Sequence, residues 1–212
     1  ISLDREYITK VQDFFSHPNI SIINFNLNTG ISIAYNSISR LFDCKDIFIF
    51  SDDVLLYPGW FEIGKYVLSK KEFGFMSFAH ETGIPPPKVK ELLSIDLNRL
   101  EFFDCVYPYG SDCWFRREVF DQLNGFDTTF WASLEDIDFG VRSIKKGYRN
   151  CTVGYKDYIL SYHYGGRSGF GDKSSFSEGY MGKLSYLNAK HNINWNGGIS
   201  KEDEKKIRGI NG

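Results

Sequence analysis

Apolar residues at Leu3, Tyr7, Ile8, Val11, Phe14 and Phe15 recur at helical spacing, and His17-Pro18-Asn19 closes the run. Ile20 to Phe25 then reads as a strand. Asn26 to Gly30 reads as a loop in which Gly30 is a candidate for positive φ. Ser32 to Phe42 returns to an amphipathic helix, and Asp46-Ile-Phe-Ile-Phe50 is a short apolar run of the kind a central parallel strand shows. Pro58-Gly59-Trp60 turns the chain into a predicted helix from Phe61 to Ser69, and Phe73 to Phe78 is a further strand.

The middle of the chain changes character. Thr82-Gly83-Ile84-Pro85-Pro86-Pro87 predicts a rigid, extended linker, and Val89 to Asp104 has weak periodicity. Cys113 to Phe115 predicts a short strand, and Arg117 to Leu123 a helical turn closed by Asn124-Gly125. Leu134 to Lys146 predicts a helix with Glu135, Asp136 and Asp138 in its first turn. Val153 to His163 reads as the last strand. Gly and Ser dominate Tyr164 to Gly182, which predicts a mobile loop, and Lys201 to Lys206 mixes both signs as a solvated helix or fraying end. The strand–helix–strand alternation predicts an α/β sheet with right-handed crossovers, in which ligands bind beyond the carboxyl ends of the strands.

Composition narrows this to one domain. With 212 residues, 42% hydrophobic and 17% aromatic, the chain can bury roughly 70% of its unfolded surface. A net charge of −2 without a basic run excludes a nucleic-acid footprint and a patch for anionic membrane surfaces. Cys44, Cys105, Cys113 and Cys151 form no C-x-x-C pair and sit among apolar residues, as buried thiols do in a reducing, cytoplasmic compartment. No apolar run reaches about 18 residues, so no transmembrane segment is predicted, and any membrane association would be peripheral, through the substrate.

The chemistry begins at Ser51-Asp52-Asp53, at a predicted strand end. Adjacent carboxylates raise one another's pKa unless a cation intervenes, and hard divalent cations take carboxylate oxygens while keeping positions open for phosphate and water. The same pair could instead stabilise the start of the next helix. Glu135 and Asp136, at another helix start, lie where the macrodipole keeps carboxylates ionised, as a general base requires. Asp138 and Arg142 have the i, i+4 spacing of a simple ion pair. Trp131 stacks on a sugar face or merely packs; both readings stand.

The stretch Ile47-Phe-Ile-Phe-Ser-Asp-Asp-Val-Leu-Leu-Tyr-Pro-Gly-Trp-Phe61 resembles the metal-binding D-x-D strand end and "P-G-W" turn of GT-A glycosyltransferases, especially the family 2-like inverting enzymes. Tyr109 to Asp127 and the Trp131 to Arg142 "E-D-x-D-x-x-x-R" helix start resemble later segments of the same enzymes, the second also occurring in galactosyltransferases. The resemblance implies a GT-A fold with a mostly parallel central sheet flanked by helices. A nucleotide-sugar half would span residues 1–80, an acceptor half 81–182 and a tail 183–212.

The same resemblance implies the roles. Asp53 ligates Mn²⁺ or Mg²⁺, and His163, in an H-x-x-G-[KR]-S pattern, is a second ligand. Asp52 contacts metal-bound water or the sugar, and Ser51 replaces the usual first Asp, so that a hydroxyl stands where a carboxylate would meet the nucleotide. Asn28, Gly30 and Asn36 lie near base and ribose, Trp114 lies at the donor, and Arg167 meets the diphosphate. Asp136 is the general base and Glu135 binds the acceptor sugar. The implied partners are a nucleotide-sugar, with a UDP-sugar first, and a glycan or glycoconjugate acceptor. The family's opening strand, which cradles the nucleobase, precedes the helix at which this sequence starts. A non-catalytic GT-A-like module that binds glycan or nucleotide is the alternative; a nucleotidyltransferase would need a Gly-rich loop with Lys or Arg near its first strand, and none is visible.

Overall fold

A computed structural model describes residues 28–82, 94–131, 133–164 and 173–210, with 21, 23 and 25; over 80–82 and 173–179 only the backbone is considered. The predicted helix at residues 3–15, the strand reading at 20, 22 and 24, and the proline segment from Gly83 lie outside the described residues. Helix α1 (Ile31–Leu41) leads to strands β1 (Asp46–Phe50) and β2 (Val54–Leu56), helix α2 (Trp60–Leu68), and strands β3 (Phe73–Phe78) and β4 (His80–Thr82). Then follow β5 (Leu100–Asp104), β6 (Asp112–Arg116), α3 (Arg117–Gln122), α4 (Glu135–Lys145), β7 (Arg149–Tyr155), β8 (Ser161–His163), α5 (Lys173–His191) and α6 (Lys201–Arg208).

The strands form a five-stranded sheet in the order β1-β6-β3-β7-β5 and a three-stranded sheet in the order β2-β8-β4. In the larger sheet β1, β3 and β7 share one direction, the parallel majority the sequence implies, while β6 and β5 run against them. Because β6 inserts between β1 and β3, only β3 and β7 are parallel neighbours there among the described residues. All six residues of β3 are buried, as expected of a strand covered on both faces. Its alternation divides the core. Met76 and Phe78 pack with Trp114 against Ile63 and Val67 of α2, whereas Phe75 joins Phe115, Phe120, Phe126 and Phe139 under α3 and α4.

Two features position α4. Asn150 is wholly buried on β7 and fully used: its Oδ1 accepts from the Phe75 amide (3.2 Å) and the Ser143 hydroxyl (2.8 Å), and its Nδ2 donates to Val106 O (2.7 Å) and Gly140 O (2.8 Å). On the outer side Ile137, Val141 and Ile144 of α4 pack with Leu187 of α5, with Ile193 and Trp195, and with Ile207 of α6. Helix α6 starts at Ser200, whose Oγ accepts from the Asp203 amide at 3.0 Å, a working N-cap.

Several readings of the pattern change. The single strand from Val153 to His163 is two, β7 and β8, separated by a turn at Asp157 with φ 59°. The Gly/Ser-rich stretch predicted as loop becomes helix from Lys173, because Tyr180, Leu184 and Leu187 return at helical spacing to the α4 cluster, and tertiary burial outweighs weak local propensity. Gly30 has φ 78°, as expected. All four cysteines are free, with Cys113 and Cys151 buried and Cys44 and Cys105 half-buried. Among the described residues no helix is long and apolar enough to cross a membrane.

Candidate active site

Strand β1 ends at Phe50, and the chain turns through Ser51-Asp52-Asp53 into β2, closed by the Val54 amide on Ser51 O at 3.2 Å. Antiparallel pairing brings the start of β6 to the same edge: Phe50 faces Asp112, and the Ser51 amide donates to Ser111 O at 2.8 Å. Strand β8 completes the turn. Val54 faces His163, and the Tyr164 amide donates to Asp53 O at 2.9 Å. This pairing carries the His163 imidazole Nε2 to 3.1 Å from Asp53 Oδ2, with both side chains about a quarter exposed. Asp52 is exposed beside them.

One carboxylate oxygen and one imidazole nitrogen form a donor set suited to Mn²⁺, and also to Mg²⁺ through the carboxylate. Adjacent ligands of an octahedral ion at about 2.1 Å stand about 3 Å apart, which the Asp53–His163 separation matches. Among the described residues only these two ligands come together, and no group of three His, Cys, Asp or Glu could hold a metal, so a cation here would take its remaining positions from water and phosphate. Behind the pair, buried Asp112 accepts from the Ser161 hydroxyl at 2.6 Å, joining the two sheets at this edge.

The second half of the site is built on the α4 N-terminus. Leu134 enters the helix at φ 69° and turns Glu135 and Asp136 inward. The Ile137 amide donates to Asp136 Oδ1 at 2.8 Å, and the Gly110 amide donates to the same carboxylate. A Cβ on Gly110 would lie 3.1 Å from Asp136 Oδ2, so a side chain there would press on the carboxylate and move it by a few tenths of an ångström. Residues 109–111 thereby join the two halves: the Tyr109 amide donates to Ser77 Oγ (3.2 Å), Gly110 meets Asp136, and Ser111 receives Ser51.

Burial pushes the Asp136 carboxyl up, to about 6, although the Ile137 and Gly110 amides favour its charge. Burial followed by the Asp136 charge pushes Glu135 further, to about 8. Two such carboxyls titrate as a pair holding one proton near neutrality. Glu135 is 7% exposed, and its Oε2 has no hydrogen-bond partner among the described residues. A buried oxygen without a partner, beside a second acid, is a costly arrangement and marks a candidate functional group.

Asn28 and Gly30 adjoin this half. Asn28 Oδ1 accepts from the Gly30 amide at 3.1 Å, the Ile31 amide donates to Trp131 O at 2.7 Å, and a Cβ on Gly30 would lie 2.3 Å from the Trp131 ring. Trp131 is 40% exposed, with Lys183 Nζ 5.7 Å from its ring centroid. Asn36 and Trp114, expected at the nucleotide, are placed in the interior instead. Asn36 spends its amide on the Phe126 backbone, accepting from N and donating to O at 2.8 Å each, and wholly buried Trp114 packs against Phe48 and Phe78. Arg167 lies outside the described residues. Asp138 pairs with Arg142 Nε at 2.7 Å, as its spacing suggested, and also takes His191 (2.8 Å) and Lys190 (2.6 Å). Gly110, Ser161 and Lys183 escaped the sequence reading; a glycine just before a strand was the one available signal, for Gly110.

No protein-family model and no curated protein sequence matches this chain. Solved structures do. The mannosyltransferase PcManGT from Pyrobaculum calidifontis, in complex with GDP-Man and Mn²⁺, matches with a TM-score of 0.62 at 14% identity, over 96% of this chain and 55% of its own. Residues 1–349 of TarS from S. aureus match with a TM-score of 0.63 at 9% identity, over 98% of this chain and 58% of theirs. The chain spans a little over half the length of each. Its fold is the GT-A-like fold that the motifs implied.

Proposed function

We propose that this chain is a metal-dependent, inverting glycosyltransferase that moves a hexose or deoxyhexose from a nucleoside-diphosphate sugar to a hydroxyl of a glycan or glycoconjugate. The observation that carries the reading is the Asp53–His163 pair at 3.1 Å, formed across two short strands on a GT-A-like fold. Asp53 Oδ2 and His163 Nε2 would hold the cation, with Asp52 beside them and the Ser51 hydroxyl toward the nucleotide. Bound Mn²⁺ or Mg²⁺ supplies positive charge against the departing diphosphate. Asp136 takes the proton of the acceptor hydroxyl as its oxygen bonds to the anomeric carbon and the bond to the diphosphate oxygen breaks. Glu135 binds the acceptor sugar beside it. Inversion is expected because Asp136 acts as base in a single displacement at the anomeric carbon. The GDP-Man and Mn²⁺ of the mannosyltransferase neighbour support a nucleoside-diphosphate donor, and UDP-sugars stand beside GDP-sugars as donors to test. Four free thiols support a reducing, cytoplasmic compartment.

Isothermal titration with UDP-, GDP- and dTDP-sugars, with and without Mn²⁺, followed by a product assay, tests this. One donor should bind only with metal, and Asp53→Asn should abolish that metal-dependent binding. Asp136→Asn should keep donor binding and lose about 10²–10⁴-fold in kcat. Metal-independent binding overturns the Asp53 role, and normal turnover by Asp136→Asn overturns the base.

A further inference from the structure

About two helical turns along α4 from Glu135, a cavity of about 430 Å³ opens between helices, within the size range of small-ligand sites. Three cationic side chains from three helices line it: Arg40 of α1, Arg142 of α4 and Lys190 of α5, with Asn124 and Thr128 on the connecting loop. One lining carboxylate, Asp127, opposes them, so the lining carries a net charge of +2 (three cations less one carboxylate). Asp138, behind the wall, accounts for one charge more through Arg142 and Lys190.

The cations differ in how far their bonds are used. Lys190 Nζ is shared between Asp127 (2.7 Å) and Asp138 (2.6 Å). Arg142 is fixed by Asp138 and by Leu123 O (2.7 Å), yet its Nη2 is buried with no hydrogen-bond partner among the described residues. Arg40 is exposed, and its Nη2 reaches Asn124 O and Oδ1 only at 3.5 Å, bonds too long to hold it. An exposed guanidinium with unspent donors, beside an ammonium and with a second, buried guanidinium behind it, forms a receptor for a planar or tetrahedral oxyanion, which meets arginine through paired N–H donors.

We propose that this cavity binds an oxyanion group, a phosphate or a carboxylate, of a ligand other than the donor diphosphate. Arg40 swings onto the anion, Arg142 and Lys190 set the rear of the site, and Asn124 and Thr128 supply polar contacts at its mouth. Asp127 limits the affinity, because its carboxylate holds Lys190 and repels the ligand.

The test is a ¹H–¹⁵N titration of the intact chain without nucleotide. Its arms are inorganic phosphate, glucose 1-phosphate and galacturonate, so that a free phosphate, a sugar phosphate and an acidic sugar are told apart. Saturable shifts are expected at the amides of residues 124–128, unchanged in Asp53→Asn, which separates this cavity from phosphate bound at the candidate active site. Arg40→Ala, at an exposed position, should weaken the effect about tenfold, and Asp127→Asn should strengthen it as the repulsion goes. Equal binding by Arg40→Ala, weaker binding by a folded Asp127→Asn, or no saturable shift at 124–128 with any of the three anions each overturns the proposal.

Discussion

Glu135 brings a carboxyl into the interior with one oxygen unmet, beside a second acid, and this arrangement costs stability. Because burial raises both carboxyls, the folded chain keeps protons that the unfolded chain releases above the ordinary carboxylate range. The stability linked to these protons is therefore complete below about 3.8 and is lost as pH rises, through about 6 for Asp136 and about 8 for Glu135. The melting temperature of the wild type should fall across this interval, and that of Glu135→Gln should fall less; thermal unfolding at half-unit steps of pH reads the difference. Parallel curves would remove Glu135 from the account. In turnover the sign reverses, since Asp136 must be ionised, and kcat/KM should rise as pH passes about 6. Gly110→Ala sets a methyl 3.1 Å from Asp136 Oδ2. It should lower kcat about tenfold or more through misplacement of the base, with little change in melting. The place of Asp136 in the first turn of a helix was legible in the sequence. Gly110 as its partner was not, because nothing along a sequence says which distant amide will approach a carboxylate.

At the scale of elements, α4 is the part that must not move, and Asp138 is its bolt. Burial alone would raise the Asp138 carboxyl, but His191, Arg142 and Lys190 outweigh it and hold it below its ordinary value. Asp138→Asn leaves three basic groups facing an amide. It should cost about 3 kcal/mol, the scale for breaking a buried ion pair, seen as a lower urea midpoint with an unchanged slope. A loss under about 0.5 kcal/mol, the range of ordinary surface changes, would contradict the role. The Asp138–Arg142 half of this network could be read from i, i+4 spacing. The His191 half joins residues 53 apart, and it stayed hidden because α5 was hidden. Gly and Ser across residues 164–182 mask the Tyr180, Leu184, Leu187 period that the α4 cluster selects. Strands β2, β4 and β5 were missed for a related reason: short pieces take their conformation from neighbours, and β5, with its exposed Phe102 and Phe103, has no inward-facing stripe to announce it. By contrast β1, β3, α1 and α4 have long, clean patterns and emerge within one or two residues of the expected bounds.

Across the whole molecule, the Asp53–His163 contact closes a separation of 110 residues and ties the turn after β1 to the smaller sheet. A cation held by both side chains binds only the folded chain, since unfolding parts them, so it must raise global stability by mass action. With free metal at about a hundred times its dissociation constant, the gain is about 2.7 kcal/mol. For a chain of this length that corresponds to about 5 to 10 °C in melting temperature. Mn²⁺ should therefore raise the melting temperature, more so with the matching nucleoside diphosphate present, and a chelator should reverse it. Asp53→Ala and His163→Ala should each abolish most of the shift. The double variant should lose no more than either alone, because two ligands of one ion act as a unit. Independent losses that add would mean separate sites, and a full Mn²⁺ shift in either single variant would mean that the pair is only a hydrogen bond between strands. The same measurement with Asp112→Asn asks whether the neighbouring Asp112–Ser161 bond matters to the pair. It should lower the melting temperature of the metal-free chain while leaving most of the metal-dependent rise, since it joins the two sheets from behind and contributes no ligand.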